Sequence, residues 1–404
     1  MINTFCKYLL LFVSLIAVLN SAEDQYKIGV LLGFTGNGQL NAIESKTAVD
    51  LAVKDINTYF AGQNKNIKII PVFADTKSNP DSCILRVRQL ADSGVRVMIG
   101  VYMNTELRAI KHIIDSLNIL LVSHSAVISS LALANDNIFR LVPSVKMQVK
   151  SVAQLMLEDG KKVIIPLCRS DVWGNDLKNA LKAELDTNKI KMMNGFSYES
   201  RNADYSTIMK QVNSEISELR TKYRDNEICV YMVTYSEGTE ILRQTANFTE
   251  LKDIKFYGSS SFSGNQNLLT KPDAFESAIN TKLECPIMGF DDVLQSKWEP
   301  VKKLIRAQIG TEPNIYALTI YDALEVTSLA YAAVGKNASI SDLKNSFINE
   351  ANGYLGVSGV INLDENGDRQ NVNYDFWGVK MVNGAPEWYR SASYNTKTEV
   401  VTRR

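Results

Sequence analysis

Histidine is almost missing from this 404-residue chain, which carries only His112 and His124. Its five cysteines, Cys6, Cys83, Cys168, Cys229 and Cys285, stand singly and form no C-x-x-C pair. A zinc centre is built from those side chains, so no metal site and no cofactor is expected. An excess of either charge is also lacking: Lys+Arg and Asp+Glu number 44 each. Nucleic-acid binding and polybasic membrane anchoring both need a basic surplus, so neither partner is expected. Catalytic signatures are equally sparse. There is no nucleophile-elbow Gly-x-Ser-x-Gly, and the nearest serine cluster, "GSSSFSG" (258–264), has the wrong spacing. An enzyme is not expected.

What is present begins at the N-terminus. Lys7 precedes the apolar run Tyr8–Leu19, and Asn20-Ser-Ala follows. That layout predicts a secretory signal peptide over 1–22, cleaved near Ala22, and so a periplasmic or extracellular protein. The run is shorter than the ~20 apolar residues of a membrane anchor. The bulk composition, 45% hydrophobic and 22% charged, is ordinary for a globular chain with material for two domains.

Along the chain, strand and helix patterns alternate. "KIGVLLG", "IKIIPVFAD", "VRVMIGV" and "NILLVSHS" read as strands, with helical periodicity between them. A second alternation starts at "KKVIIPLC" and includes a strand over 189–198, "NEICVYMV" and "DIKFYGS". Repeated βα units predict an α/β fold with parallel sheets covered on both faces, here in two lobes with a break near Pro143. Helices at 297–309, 316–334 and 341–351 then come without intervening strands, and period-two strands follow around Asn366-Gly367 and Asn383-Gly384.

The stretch "KIGVLLGFTGNGQ" (27–39) looks like the start of a phosphate cradle. Gly33-x-x-x-x-Gly38 has P-loop spacing, but Gln39-Leu40 stand where Lys and Ser/Thr are needed. Read as a dinucleotide fingerprint, Gly36-x-Gly38 is followed by Asn41 where the third glycine belongs. What remains is a flexible turn at the carboxyl end of a strand, a pocket edge in open α/β sheets.

Taken together, "GFTGNGQLNAIESKTAVDLAVKDIN", "VRVMIGVYMNTELRAIKHIIDSLNILLVSHSAVISSLA", "NIFRLVPS", "DVWGNDLKNALKAEL", "YALTIYDALEV" and "GVSGVINLDENGDR" resemble, in this order, the type I periplasmic solute-binding proteins. The branch is that of leucine/isoleucine/valine-binding proteins, and the resemblance runs from about Tyr26 to Tyr389. It implies two Rossmann-like, doubly wound lobes joined by a three-crossing hinge. The first would be 25–143 plus 291–350, the second 144–290 plus 351–392, with 393–404 a C-terminal tail. It also implies a monomer that clamps a small-molecule solute and delivers it to a membrane ABC permease; the ligand sensor of a receptor is the alternative.

Carried over from the family, the solute-binding positions are Asn41, Tyr102, Asn104, Thr105, Ser123, Ser125 and Ala126 from the first lobe. The second supplies Arg169, Trp173, Tyr235 and Ser260. Asn104 starts a helix, so it suits an anion and equally a plain N-cap. Trp173, beside Gly174 at a strand-to-helix loop, suits a ring over the ligand rather than a core tryptophan; Arg169 suits an anion and equally solvent. Three departures stand out. Val127 replaces a common hydroxyl, and Met103 occupies the position of the usual disulfide partner of Cys83. Ser260 replaces the acid that neutralises an amino acid's ammonium. A buried ammonium without a countercharge is costly. The expected ligand is therefore a small carboxylate, amide or similar polar solute, unless Asp291 or Asp292 reaches in.

Overall fold

A computed structural model describes residues 23–404 except 37, 127–128, 189 and 200–202, so the expected signal segment and Val127 lie outside the described residues. Strands β1 (Asp24–Leu32), β2 (Ile67–Asp75), β3 (Val97–Gly100), β4 (Leu120–Ser123) and β5 (Ile138–Arg140) form a parallel sheet ordered β2-β1-β3-β4-β5. Every residue of β3 and β4 is buried, as in strands covered on both faces. Helices α1 (Gln39–Gly62), α2 (Pro80–Asp92) and α3 (Asn104–Ser116) connect them. Asn79 caps α2 by accepting from the Ser82 amide, with Pro80 at the first helical position.

The second lobe repeats the scheme. Strands β6 (Val163–Arg169), β7 (Lys191–Met192), β9 (Ile228–Val233) and β10 (Lys255–Tyr257) run parallel in the order β10-β9-β6-β7, and β8 (Phe196–Tyr198) also pairs with β6. Helices α4 (Val145–Glu158), α5 (Val172–Asn188), α6 (Tyr205–Leu219), α7 (Gly238–Thr245), α8 (Gln266–Leu269) and α9 (Pro272–Asn280) intervene. The strand expected over 189–198 is broken in two. Gly195 bends the chain at φ 63° so close to the Pro166 carbonyl that no Cβ would fit.

A single bridge, Tyr257 to Glu284, carries this sheet to β11 (Cys285–Met288), which pairs antiparallel with β14 (Tyr374–Val382). The hairpin to β15 (Ala385–Asn395) turns at Asn383-Gly384, both with positive φ, and β16 (Val400–Arg403) completes the sheet. Residues 393–404 are thus not a tail. They are the end of β15 and all of β16, anchored where Arg403 pairs with Glu284 at 2.7 Å.

Helices α10 (Gln295–Ile309) and α11 (Ile315–Val334) pack on α1, and α12 (Ile340–Ala351) packs on α11 and β4. The strandless helices therefore cover the first sheet. The segment after them stays there too, although the sequence reading gave it to the second lobe. Hairpin β12 (Tyr354–Gly356)–β13 (Gly359–Ile361) is held by Asp322 of α11, whose carboxylate accepts from the amides of Val357 (2.8 Å) and Ser358 (2.7 Å). Just beyond, Asp368 forms a buried ion pair with Arg140 of β5. The chain passes between lobes at 141–144, 289–294 and 370–373.

Candidate binding cleft

Strand order locates the cleft. In the first sheet the direction of winding reverses between β1 and β3, in the second between β6 and β9. At such points the loops leaving the strands splay apart and form a crevice at their carboxyl ends. The two crevices face each other, and α3 meets α5 between them.

The glycine turn at the first crevice has donors of Thr35 and Gly38 occupied. Thr35 gives its amide (3.3 Å) and hydroxyl (3.0 Å) to Asp75, and the Gly38 amide donates to Ser78 Oγ at 2.9 Å. Desolvation raises the Asp75 carboxyl, but donors from Lys77 and Thr35 outweigh it and hold the group below its ordinary range. A turn closed on a carboxylate is no phosphate cradle.

After β3 the backbone is strained. Gly100 has φ 120° and Val101 φ 64°, a rare conformation for a β-branched residue. The kink is held by the Val101 amide donating to Leu31 O (2.9 Å) and by Ser123 and Ser125 hydroxyls donating to Val101 O (3.4 Å each). Ser125 also donates to Tyr102 O at 3.1 Å. Tyr102 is thereby turned against Tyr316, edge to face, with ring centroids 5.9 Å apart. Of the expected positions on this side, Ser123 and Ala126 are fully buried and serve the turn, Thr105 is exposed, and Asn41 accepts from Asn314 Nδ2 at 2.9 Å. Tyr102, Asn104 and Ser125 remain at the cleft.

The second wall is aromatic. Trp173, 2% exposed, stacks on Tyr235 at 4.7 Å and 17°, so it backs the tyrosine. The Arg169 guanidinium lies 4.2 Å from the Tyr235 ring centre and pairs with Asp171 and, at 2.6 Å, with Glu237. Its charge is already met twice, so it is neither solvated nor offered to an anion. Ser259 ties the loops after β9 and β10 together by donating to Thr234 O at 3.0 Å.

Two polar side-chain pairs meet across the cleft: Asn104 with Tyr235, and Ser260 with Tyr316. Beneath the second lies a small void of about 10 Å³, room for about one water, lined in part by Val142, Pro143, Gln148, Ser260, Tyr316 and Tyr374. Gln148, Tyr316 and Tyr374 were not singled out in the sequence. Gln148 had a readable signal, since it falls between Val145 and Val152 on the buried stripe of α4.

Acidic groups do not fill the gap left at Ser260. Asp291 caps the Val293 amide (3.0 Å), and Asp292 pairs with Arg390 (2.8 Å) and Arg404 (2.5 Å). Glu44 of α1, also missed, accepts from the Asn314 amide at 3.2 Å and lies within electrostatic reach of Tyr102. Burial pushes its carboxyl up to about 7. His124, buried beside Tyr102, is pushed down to about 4 by desolvation and is neutral at pH 7. The four described cysteines are free and buried, Cys83 with its thiol pushed up by desolvation and by Glu106. Among the described residues, no cluster of His, Cys, Asp and Glu could hold a metal, and no helix is long and apolar enough to cross a membrane.

Two Rossmann-like lobes with opposed crevices define a two-lobe fold of the type I periplasmic binding class. The chain belongs to the receptor family ligand binding region, whose family model matches residues 44–381. An uncharacterized protein of Methanocaldococcus jannaschii, MJ1266, is 25% identical over 379 residues, covering 89% of this chain and 88% of that protein. The leucine-binding protein LivK of Thermotoga maritima is similar in structure (TM-score 0.73, 17% identity, 92% of this chain and 99% of that one). So is a solute-binding protein of an ABC transporter from R. palustris in complex with benzoate (TM-score 0.72, 15% identity, 91% and 96%). At those identities the structural likeness speaks for the fold.

Proposed function

We propose that this protein captures a small carboxylated solute between its lobes, outside the membrane, and hands it to an ABC importer. The observation that carries the reading is that the two crevices meet through the polar pairs Asn104–Tyr235 and Ser260–Tyr316. A solute entering there would meet the first turn of α3, whose amides and partial positive charge favour a carboxylate. Leucine and benzoate, named for the two structural relatives, share that group. The reading disfavours an α-amino acid, because Ser260 cannot offset an ammonium and Asp291 and Asp292 are engaged elsewhere. At the second wall Arg169, Asp171 and Glu237 are already paired with one another, which suits binding without chemistry.

A thermal-shift panel of carboxylates, amides and amino acids tests the ligand class, with small-angle scattering on the best binder. The expected results are a short carboxylate giving the largest stabilisation, a smaller particle by hinge closure, and solute recovered unchanged. A plain amino acid heading the panel, or identical scattering curves, would count against the proposal.

A further inference from the structure

Two of the three crossings between lobes, 141–144 and 370–373, leave the first lobe side by side, and two arginines join them there. Arg140, the last residue of β5, donates its amide to Gly367 O (2.9 Å) and accepts at its carbonyl from the Arg369 amide (2.9 Å). Its guanidinium forms the buried ion pair with Asp368. Gly367, at φ 74°, permits this approach, because a Cβ there would press on Phe139. Arg369 reaches the other way. Its buried guanidinium donates to Leu141 O (3.3 Å), the start of the neighbouring crossing, and to Ser358 Oγ (2.7 Å) and Ser358 O (2.9 Å) between β12 and β13. Just beyond the clamp, Asn371 is exposed and holds φ 55°. At the second lobe the crossings are joined again, where the Gly289 amide donates to Asn373 O at 2.7 Å.

A buried ion pair is a poor source of stability, since taking two charges out of water costs about what their attraction returns. Well-packed apolar side chains of similar volume often do as well or better. What the pair supplies is direction, because a planar guanidinium fixes both the distance and the angle of the groups it joins. We infer that Arg140, Asp368 and Arg369 are positioning residues for lobe closure, a clamp that holds two crossings in register so that the lobes turn about 142–144 and 370–372 on one axis. Without it each crossing would bend by itself, and the lobes would twist as well as close. Asn104 and Tyr235, which meet only when the crevices are aligned, would then meet less often. The clamp rests on the proposed function only in that the lobes move.

Spin-label distance measurements on the full chain test it, with nitroxides at Arg108→Cys on α3 and Asn179→Cys on α5. Both positions are exposed, and the four described native cysteines are buried. Arg140→Met combined with Asp368→Leu removes the pair without leaving a charge buried. That double variant should stay folded with a melting temperature near the native one, yet its distance distribution should be at least about twice as broad. Asp368→Asn, which keeps the shape and a neutral acceptor, should fall between the two. A double variant as narrow as the native protein overturns the inference whatever its stability, because a merely structural pair would move the melting curve and not the width. Should the double variant fail to fold, Asp368→Asn decides by the same comparison. Closure is read separately from the mean distance: a mean unmoved by every carboxylate of the thermal-shift panel counts against the proposed function and leaves the comparison of widths intact.

Discussion

The two walls of the cleft are built by opposite means. The first is backbone: a glycine and a valine held at positive φ, with two serine hydroxyls turned onto one carbonyl to keep them there. The second is side chains: a tryptophan and an arginine against one tyrosine, with two carboxylates absorbing the arginine's charge. One wall stores strain, the other stores paired charge, and neither leaves a free charge facing the solute. Under the proposed function, ligands would be told apart by the helix start at Asn104 and by neutral hydroxyls such as that of Ser260. Specificity on such a surface comes from the geometry of dipoles.

The largest effect should come from breaking the first wall. Gly100→Ala adds a Cβ into the Leu31 carbonyl at a φ that L residues rarely adopt, and should cost about 4 kcal/mol or more. Urea unfolding measures it; a loss under 1 kcal/mol would mean the kink relaxes freely, roughly the scale of a surface change. Breaking the second wall comes next. Trp173→Ala empties a buried site behind Tyr235 and should cost about 3–4 kcal/mol of stability as well as weaken binding. An unchanged melting curve with lost affinity would instead place the ring on the solute.

Smaller still is the electrostatic difference between the walls. Glu44 has its folded pKa raised to about 7 by burial, so the folded state holds its proton where the unfolded chain has lost it. Its contribution is complete below its ordinary value near 4.5 and is lost as pH rises to about 7. Glu325, also raised to about 7, and Asp368 and Asp375, raised to about 6, act in the same direction. Glu44→Gln should flatten only its own share, making the variant more stable than the native protein at pH 8 by about 1–3 kcal/mol. Parallel stability curves for the two proteins from pH 4.5 to 8 would refute a raised Glu44. Least of all, Tyr235→Phe removes one cross-cleft polar contact and should shift closure by about 0.5–1.5 kcal/mol, read as weaker ligand-induced compaction in scattering.

How much of this was legible beforehand follows from the range of each interaction. The βα alternation, the caps and turns such as Asn79-Pro80 and Asn383-Gly384, and the loops that border the cleft are local, and periodicity and turn chemistry determine them within a few residues. The pairing of β11 with β14, the capture of 354–369 by Asp322 and Arg140, and the conversion of 393–404 into sheet depend on partners far away in the chain. So do the roles of single residues. Arg169 reads as a free cation until Glu237 is seen beside it, and Trp173 as a ligand wall until Tyr235 covers it. The sequence by itself determined the elements, their order and the strand ends that border the cleft. Only the tertiary structure decided which polar groups there are already satisfied, because burial and partner distance are properties of the packed chain.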